Sequence, residues 1–321
     1  MGIGDVYEVS AGDCTDLYYL DTGMYDVSGY GAVYLLDAER PAIVDTGIGT
    51  NHELVLEALA EVGIAPEDLE IIAPTHVHLD HAGGAGFLAE ACPNAEVAVH
   101  GIGAPHLIDP SRLWKGTKRA VGDQIEHYVE PKPVPEERIR EIEDGDVIDL
   151  GDHSLVVHHA PGHAPHHCVF EDPENDAVFT ADAAGIYVPE LDAVEPTSPP
   201  PNFDFEQCLD DVDLLESLDP EVLLFAHYGP VEDVGILDEY REVLSEWTDA
   251  VAEKRAELDD EGAELDDDEG AELDDDEAVV EYFVEQALER EDLVDAWGEG
   301  KLGPETAMNV RGVLLALDRQ D

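Results

Sequence analysis

His76, His78, Asp80 and His81 fall within six residues, in the stretch Thr75-His76-Val77-His78-Leu79-Asp80-His81-Ala82-Gly83-Gly84. Neutral imidazole and carboxylate are ligands for borderline divalent metals such as zinc. The apolar run Ile71-Ile72-Ala73 precedes them. A strand running on to His76 would put His76 and His78 on one face, because side chains alternate along a strand. Asp80 and His81 follow as the backbone turns, and address a second point nearby. Such spacing points to a metal site rather than to a solvated histidine-rich loop. His163, Asp182 and His227 each stand just beyond a further apolar run. There is no G-x-S-x-G elbow to suggest a serine nucleophile.

The elements that must position these residues alternate in type. Residues 30–37 and 41–45 read as two strands joined by the turn Ala38-Glu39-Arg40. Asn51 is expected to cap a helix reaching about Val62, with Gly63 as its stop. The strand into His76 follows, then a short helix after Gly84 and a strand over residues 96–100. Strand and helix in alternation predict an α/β fold. Residues 101–146 read as irregular and punctuated by proline. Three later strands run into His163, Asp182 and His227, with helices near residues 205–218 and 237–258.

The chain has 321 residues, 44% of them hydrophobic, enough for a sizeable core. Its charge is unusual: 78 acidic residues against 15 basic ones give a formal −63. Self-repulsion of that size destabilises a compact state in dilute buffer. In molar salt the Debye length falls to about 3 Å and most of the repulsion is screened. The expectation is a halophilic protein whose acidity answers its solvent rather than a cationic partner. Seven of the basic residues (Arg112, Lys115, Lys118, Arg119, Lys132, Arg138 and Arg140) lie between positions 112 and 140, among only five acids. Lys115, Lys118 and Arg119 are candidates for receiving an anionic substrate. The alternative is local ion pairing with the interleaved acids.

Cys14, Cys92, Cys168 and Cys208 are far apart and form no C-x-x-C pair, which suits reduced thiols in a cytosol. No signal peptide and no apolar run of membrane-spanning length is visible. A cytoplasmic protein with no membrane partner is expected. Residues 256–278 repeat AELDDEG, AELDDDEG and AELDDDEA, too sparse in apolar residues to offset the entropy of ordering. The expected organisation is a catalytic domain over 1–250, an acidic linker over 251–278 and a helical extension over 279–321. In the extension, Val279, Val280, Phe283, Val284, Ala287 and Leu288 form one helical stripe. Val310, Val313, Leu314 and Leu317 form another, to be buried on the main domain or in a homo-oligomer.

His76-x-His78-x-Asp80-His81, followed by His163, Asp182 and His227, resembles the metallo-β-lactamase superfamily, as does Ile43-Val44-Asp45-Thr46-Gly47. The resemblance covers about residues 5–235. It implies an αββα sandwich, two mixed sheets with helices outside and metals at one edge. It also implies that His76, His78 and His163 bind one metal and that Asp80, His81 and His227 bind a second. Asp182 would bridge the two, and Asp45 would support the metal-binding loop from behind. The expected metals are two zinc ions per chain, with iron or manganese as the other candidates.

Two such dications lower the pKa of a bridging water, so that hydroxide exists at neutral pH, and Asp80 can orient it. Tyr187 and Tyr228 are the candidates for protonating the leaving group, Tyr187 being the one assigned. A bridging aspartate at Asp182 is absent from the antibiotic-hydrolysing branch of the family. The ligand set looks most like glyoxalase II, lactonases and the ribonuclease Z group, although Asp182-Ala183-Ala184-Gly185-Ile186-Tyr187 departs from the glyoxalase II pattern. The resemblance therefore implies a hydrolase of a small ester, thioester or lactone. A persulfide-dioxygenase-like iron oxygenase and a ribonuclease Z-like phosphodiesterase are the alternatives, and nucleic acid is not the expected partner.

Overall fold

The computed structural model describes residues 2–264 and 275–319. Period-two apolar patterning builds two mixed sheets. β1 (Val6–Glu8), β2 (Leu17–Asp21), β3 (Ala32–Leu36), β4 (Ala42–Val44), β5 (Ile71–Ala73), β6 (Glu96–His100) and β7 (Ile139–Ile142) form a seven-stranded sheet in chain order. Pairing is antiparallel from β1 to β4 and parallel from β4 to β7. Parallel neighbours need crossovers. Helices α1 (His52–Val62), α2 (Leu79–Ala82), α3 (Ala85–Ala91), α4 (Ala104–Ile108) and α5 (Ser111–Ala120) lie in those crossovers.

The second sheet uses β8 (Val147–Asp149), β9 (Ser154–His159), β10 (Cys168–Asp172) and β11 (Ala177–Phe179). After the separate hairpin of β12 (Ile186–Val188) and β13 (Ala193–Glu195), α6 (Phe205–Leu218) leads to β14 (Val222–Phe225) and β15 (Gly229–Val231). The strand order is β15-β14-β11-β10-β9-β8.

Alternation along each strand divides the core into layers. Ala32, Tyr34 and Leu36 of β3 face the second sheet, where Leu155, Val157, Phe170, Phe179 and Leu224 meet them. Val33 and Leu35 face outward onto Val55, Leu59 and Leu88 of the first helical layer. On the other sheet Val169, Val178, Leu223 and Phe225 face outward onto Val212, Leu215, Tyr240 and Leu244. The result is helix, sheet, sheet, helix, the architecture expected from the resemblance.

Several local expectations differ. The strand leading to the histidines stops at Ala73, because Pro74 has no N–H to donate to a ladder. The Asn51 side chain does not cap α1; its Nδ2 donates to the Thr22 carbonyl. Residues 101–146 are not irregular but hold α4, α5, two 3-10 turns and β7. Helix α7 (Ile236–Glu264) continues past the expected domain end at 250 and into the acidic repeat. Residues 265–274, the middle of the expected linker, lie outside the described residues.

Beyond them α8 (Asp275–Leu288), α9 (Glu291–Trp297) and α10 (Glu299–Asp318) pack on the same chain. Val279, Val280, Val310, Val313 and Leu314 join the core cluster that holds Tyr240 and Val251 of α7. Helix α10 lies so close to the 196–203 loop that a Cβ on Gly312 would meet the Ser198 carbonyl at 1.7 Å. All four cysteines are free. No helix among the described residues is long and apolar enough to cross a membrane.

Candidate metal centre

The loops leaving the strand ends of both sheets converge on one point. His76 and His78 come from the loop after β5, so the turn rather than a strand pleat brings them together, and His78 caps the four-residue α2 that presents Asp80 and His81. Gly83 and Gly84 end this motif because the segment after β4 passes directly over it; a Cβ on Gly84 would meet the Thr46 carbonyl at 2.4 Å. His163 follows β9, Asp182 follows β11 and His227 follows β14.

Two ligand triads form, His76 with His78 and His163, and Asp80 with His81 and His227. The ring nitrogens His78 Nδ1 and His163 Nε2 are 3.0 Å apart, and His81 Nε2 and His227 Nε2 are 3.2 Å apart. Asp182 reaches both triads. Its Oδ2 lies 3.0 Å from His81 Nε2, 3.5 Å from His76 Nε2 and 3.8 Å from His163 Nε2, and its Oδ1 lies 3.8 Å from His227 Nε2.

Proton accounting shows why a cation suits this arrangement. Asp45 Oδ1 accepts from Thr75 N at 2.8 Å and from Thr75 Oγ1 at 2.9 Å. With its own hydrogen committed, Thr75 Oγ1 can only accept from His76 Nδ1, 3.2 Å away. His76 therefore turns a lone pair on Nε2 toward Asp182 Oδ2, and neither atom completes a hydrogen bond. His81 Nδ1 is 2.9 Å from Asp45 Oδ2, and His227 Nδ1 is 3.0 Å from the Tyr30 carbonyl. Each outer nitrogen thus donates outward and leaves Nε2 for the centre, which is how metal-binding histidines are oriented.

Burial opposes charge on His76, His78 and His163 and holds all three below the ordinary imidazole range, in the neutral form that binds metal. Burial also opposes charge on His81, but the carboxylates of Asp182, Asp45 and Asp80 outweigh it and hold His81 well above that range. The residues fit a metal pair in donor type, number and convergence.

Asp45 sits at a left-handed φ of 62°, a conformation that aspartate tolerates better than most residues. Its two oxygens steer His81 directly and His76 through Thr75. Asp45→Asn keeps the volume and removes one acceptor. The expected loss of metal affinity is about 10–100-fold, read by competition with a chromogenic chelator.

A small cavity opens over the centre. His78, Asp80, His163, Asp182 and His227 form its base, and Tyr30, Leu79, Thr117, Ala120, Val121 and Tyr128 line it. Thr197, Pro199, Pro200, Glu305 and Met308 complete the lining. Lys115, Lys118 and Arg119 are exposed on α5, the helix that supplies Thr117 and Ala120 to that lining.

Tyr187 is a correction. Its hydroxyl donates to Asp192 Oδ1 at 2.9 Å, its ring packs on Phe225, and it does not line the cavity. The Tyr228 ring is buried in the core between the sheets. Of the histidines flanking His163, His158 pairs with Glu171 at 2.8 Å and His159 bonds the Pro165 carbonyl. His167 is different: it is fully buried with His76 and Asp182, and its Nε2 is 3.3 Å from the Asp182 amide. Sequence reasoning also missed Tyr30, Tyr128, Thr197, Glu305 and Met308, which no local pattern connects to the histidine motif.

The profile of the Metallo-beta-lactamase superfamily matches residues 28–227. The metallo-beta-lactamase fold-containing protein ST1585 of Sulfurisphaera tokodaii is 27% identical over 238 residues, 72% of this chain and 85% of that protein. The acyl-coenzyme A thioesterase MBLAC2 of Gallus gallus is 28% identical over 181 residues, 52% of this chain, and the match spans 62% of the thioesterase's length. The crystal structure of ST1585 from Sulfolobus tokodaii superposes with a TM-score of 0.66 at 22% identity, covering 94% of this chain and 99% of that one, a likeness of fold. With more than half of its length matched by the family profile and its ligand triads at the strand ends, the chain belongs to the metallo-beta-lactamase superfamily.

Proposed function

We propose that this chain is a dinuclear zinc hydrolase of a small ester, thioester or lactone, with a thioester as the first expectation. Two triads of ligand atoms that share the Asp182 carboxylate carry the proposal. The similarity to an acyl-coenzyme A thioesterase supports the choice of thioester.

His76, His78 and His163 would hold one metal, Asp80, His81 and His227 the other, with Asp182 spanning both. When bound, the pair supplies Lewis acidity, lowering the pKa of water and polarising the acyl carbonyl. The protein's own side chains do the rest. Asp80, half-buried at the base of the cavity, is placed to accept a hydrogen bond from the attacking water. Tyr30, Tyr128 and Thr197 offer polar contacts to the bound acyl group, and Leu79, Val121 and Met308 exclude bulk water from it.

Metal analysis of protein purified in molar KCl is expected to return two zinc ions per chain, with hydrolysis on a panel of thioesters and lactones. One iron per chain with oxygen consumption would replace this reading by the oxygenase alternative.

A further inference from the structure

We propose that the exposed face of α5 is a binding site for the phosphates of the substrate's carrier, so that the thioester hydrolysed is one whose thiol carrier is phosphorylated. This rests on the thioester reading above and adds the class of carrier.

Arg112, Lys115, Lys118 and Arg119 are all exposed, and their spacing of three and four residues puts them on one face of α5. Among the described residues none of the four has a carboxylate within 4.0 Å, although the chain carries 78 acids. The other members of the cationic island are engaged. Lys132 pairs with Glu90, Arg138 holds the Ala89, Cys92 and Ala95 carbonyls, and Arg140 donates to the Val147 carbonyl. Ion pairing with interleaved acids thus accounts for none of the four cations on α5, although the Lys118 ammonium also lies 4.4 Å from the Trp114 ring centroid.

Helix electrostatics does not account for them either. Lys118 and Arg119 in the last turn complement the helix dipole, but Arg112 in the first turn opposes it. Like charges three and four residues apart also repel. The nearby Asp109 carboxylate accepts from the Ser111 amide at 3.1 Å and does not form an ion pair with Arg112 or Lys115.

Position supplies the function. The opposite side of the same helix gives Thr117 and Ala120 to the wall of the cavity over the metal centre. A thioester with its acyl carbonyl at the base must lead its carrier out of the cavity, and α5 forms part of the wall it passes. Elsewhere the surface is overwhelmingly acidic and repels an anionic carrier. At high ionic strength only cations in direct contact still help, because the Debye length is about 3 Å in molar salt. Arginine and lysine on adjacent turns provide such contacts to phosphate oxygens.

S-methyl-coenzyme A, which carries the phosphates and cannot be hydrolysed or ligate through a thiolate, is the probe, with S-methyl-pantetheine as its phosphate-free counterpart. Calorimetric titration of the full chain in 1–2 M KCl is expected to show preference for the phosphorylated probe by about tenfold or more. Neutralising Arg112, Lys115, Lys118 and Arg119 to Gln is expected to abolish that preference, and Lys115→Gln alone to reduce it. Circular dichroism checks that the variants stay folded. Equal affinity of the parent for the two probes, or a preference that survives the quadruple substitution, overturns the proposal. So does binding of a single-stranded RNA oligomer through α5 in place of the probe. Phosphate-dependent binding without thioester hydrolysis would uphold the α5 site and overturn the thioester reading instead.

Discussion

Asp182→Asn protein is expected to retain at most half of the parent's metal and to lose about 10³-fold or more in hydrolytic rate. The substitution keeps the side-chain volume and removes a charge that stands within 4.0 Å of ring nitrogens from both triads. Asp182 is buried, and its carboxyl is held well below the usual range: burial opposes its charge, but His163, His81 and His227 outweigh burial. A neutral amide cannot balance the positive charge brought to this point by one dication, much less by two. Lewis acidity from a metal contributes several kcal/mol to transition-state stabilisation, and each 1.36 kcal/mol is tenfold in rate. Inductively coupled plasma mass spectrometry gives the metal count, and thioester turnover gives the rate. A variant with the parent's metal content and a rate within about tenfold of it would remove the bridging role of Asp182.

Lys301→Met is expected to destabilise the fold by about 3–5 kcal/mol, the cost of leaving one partner of a buried pair uncompensated. Lys301 and Glu305 lie one turn apart on α10, at 4% and 5% exposure, and form an ion pair there. The ammonium also sits 3.8 Å from the Tyr25 ring centroid and 4.4 Å from that of Tyr30, contacts that gain strength when desolvated. Glu305 Oε1 is 3.3 Å from Asn309 Nδ2, and Asn309 in turn holds Ser198 through its side-chain and backbone oxygens. Removing the cation leaves Glu305 charged against the cavity wall. The double variant Lys301→Met, Glu305→Met is expected to recover most of the loss, because replacing both ions removes the desolvation penalty together with the attraction. Urea unfolding at fixed KCl, followed by circular dichroism, measures both. An unchanged midpoint for the single variant would show that the pair contributes no net stability.

The Lys301 network lies beside the chemistry. Tyr30 packs its ring 5.0 Å from His227 and 5.5 Å from Trp297, and its carbonyl accepts from His227 Nδ1. The C-terminal helices therefore serve as one wall of the site as well as a cover for apolar stripes. Of their apolar faces, Val279, Val280, Val310, Val313 and Leu314 are buried within the chain, while Leu288 stays exposed.

How far the site was legible depended on the distance over which each residue acts. His76, His78, Asp80 and His81 are close in sequence, and their residue types alone declare metal chemistry. Asp182 and His227 could be picked out because each follows an apolar run that ends where a strand must end, whereas His163 is told from its flanking histidines only by the family motif Pro161-Gly162-His163. Tyr187 was chosen by nearness in sequence to Asp182, and its rotamer instead commits the hydroxyl to Asp192. Tyr30, Thr197, Glu305 and Met308 share a cavity through packing that no local pattern encodes. Residues 101–146 read as irregular because proline punctuation hid two short helices, whose apolar faces are too brief to show a period.

Residue chemistry and periodicity by themselves determined the α/β alternation, the ligand types and the acidic charge, while the four-layer sandwich is what the family resemblance implied. These follow from hydrogen-bonding capacity, charge and the burial of every second side chain along a strand. Only the tertiary structure decided which nitrogen of His76, His81 and His227 faces the centre, because the tautomer is set by partners such as Asp45, Thr75 and the Tyr30 carbonyl. It also decided which cations on α5 have no carboxylate partner among the described residues and that α10 lines the cavity. Those outcomes depend on which distant segments share a volume, and a linear pattern carries no such distance.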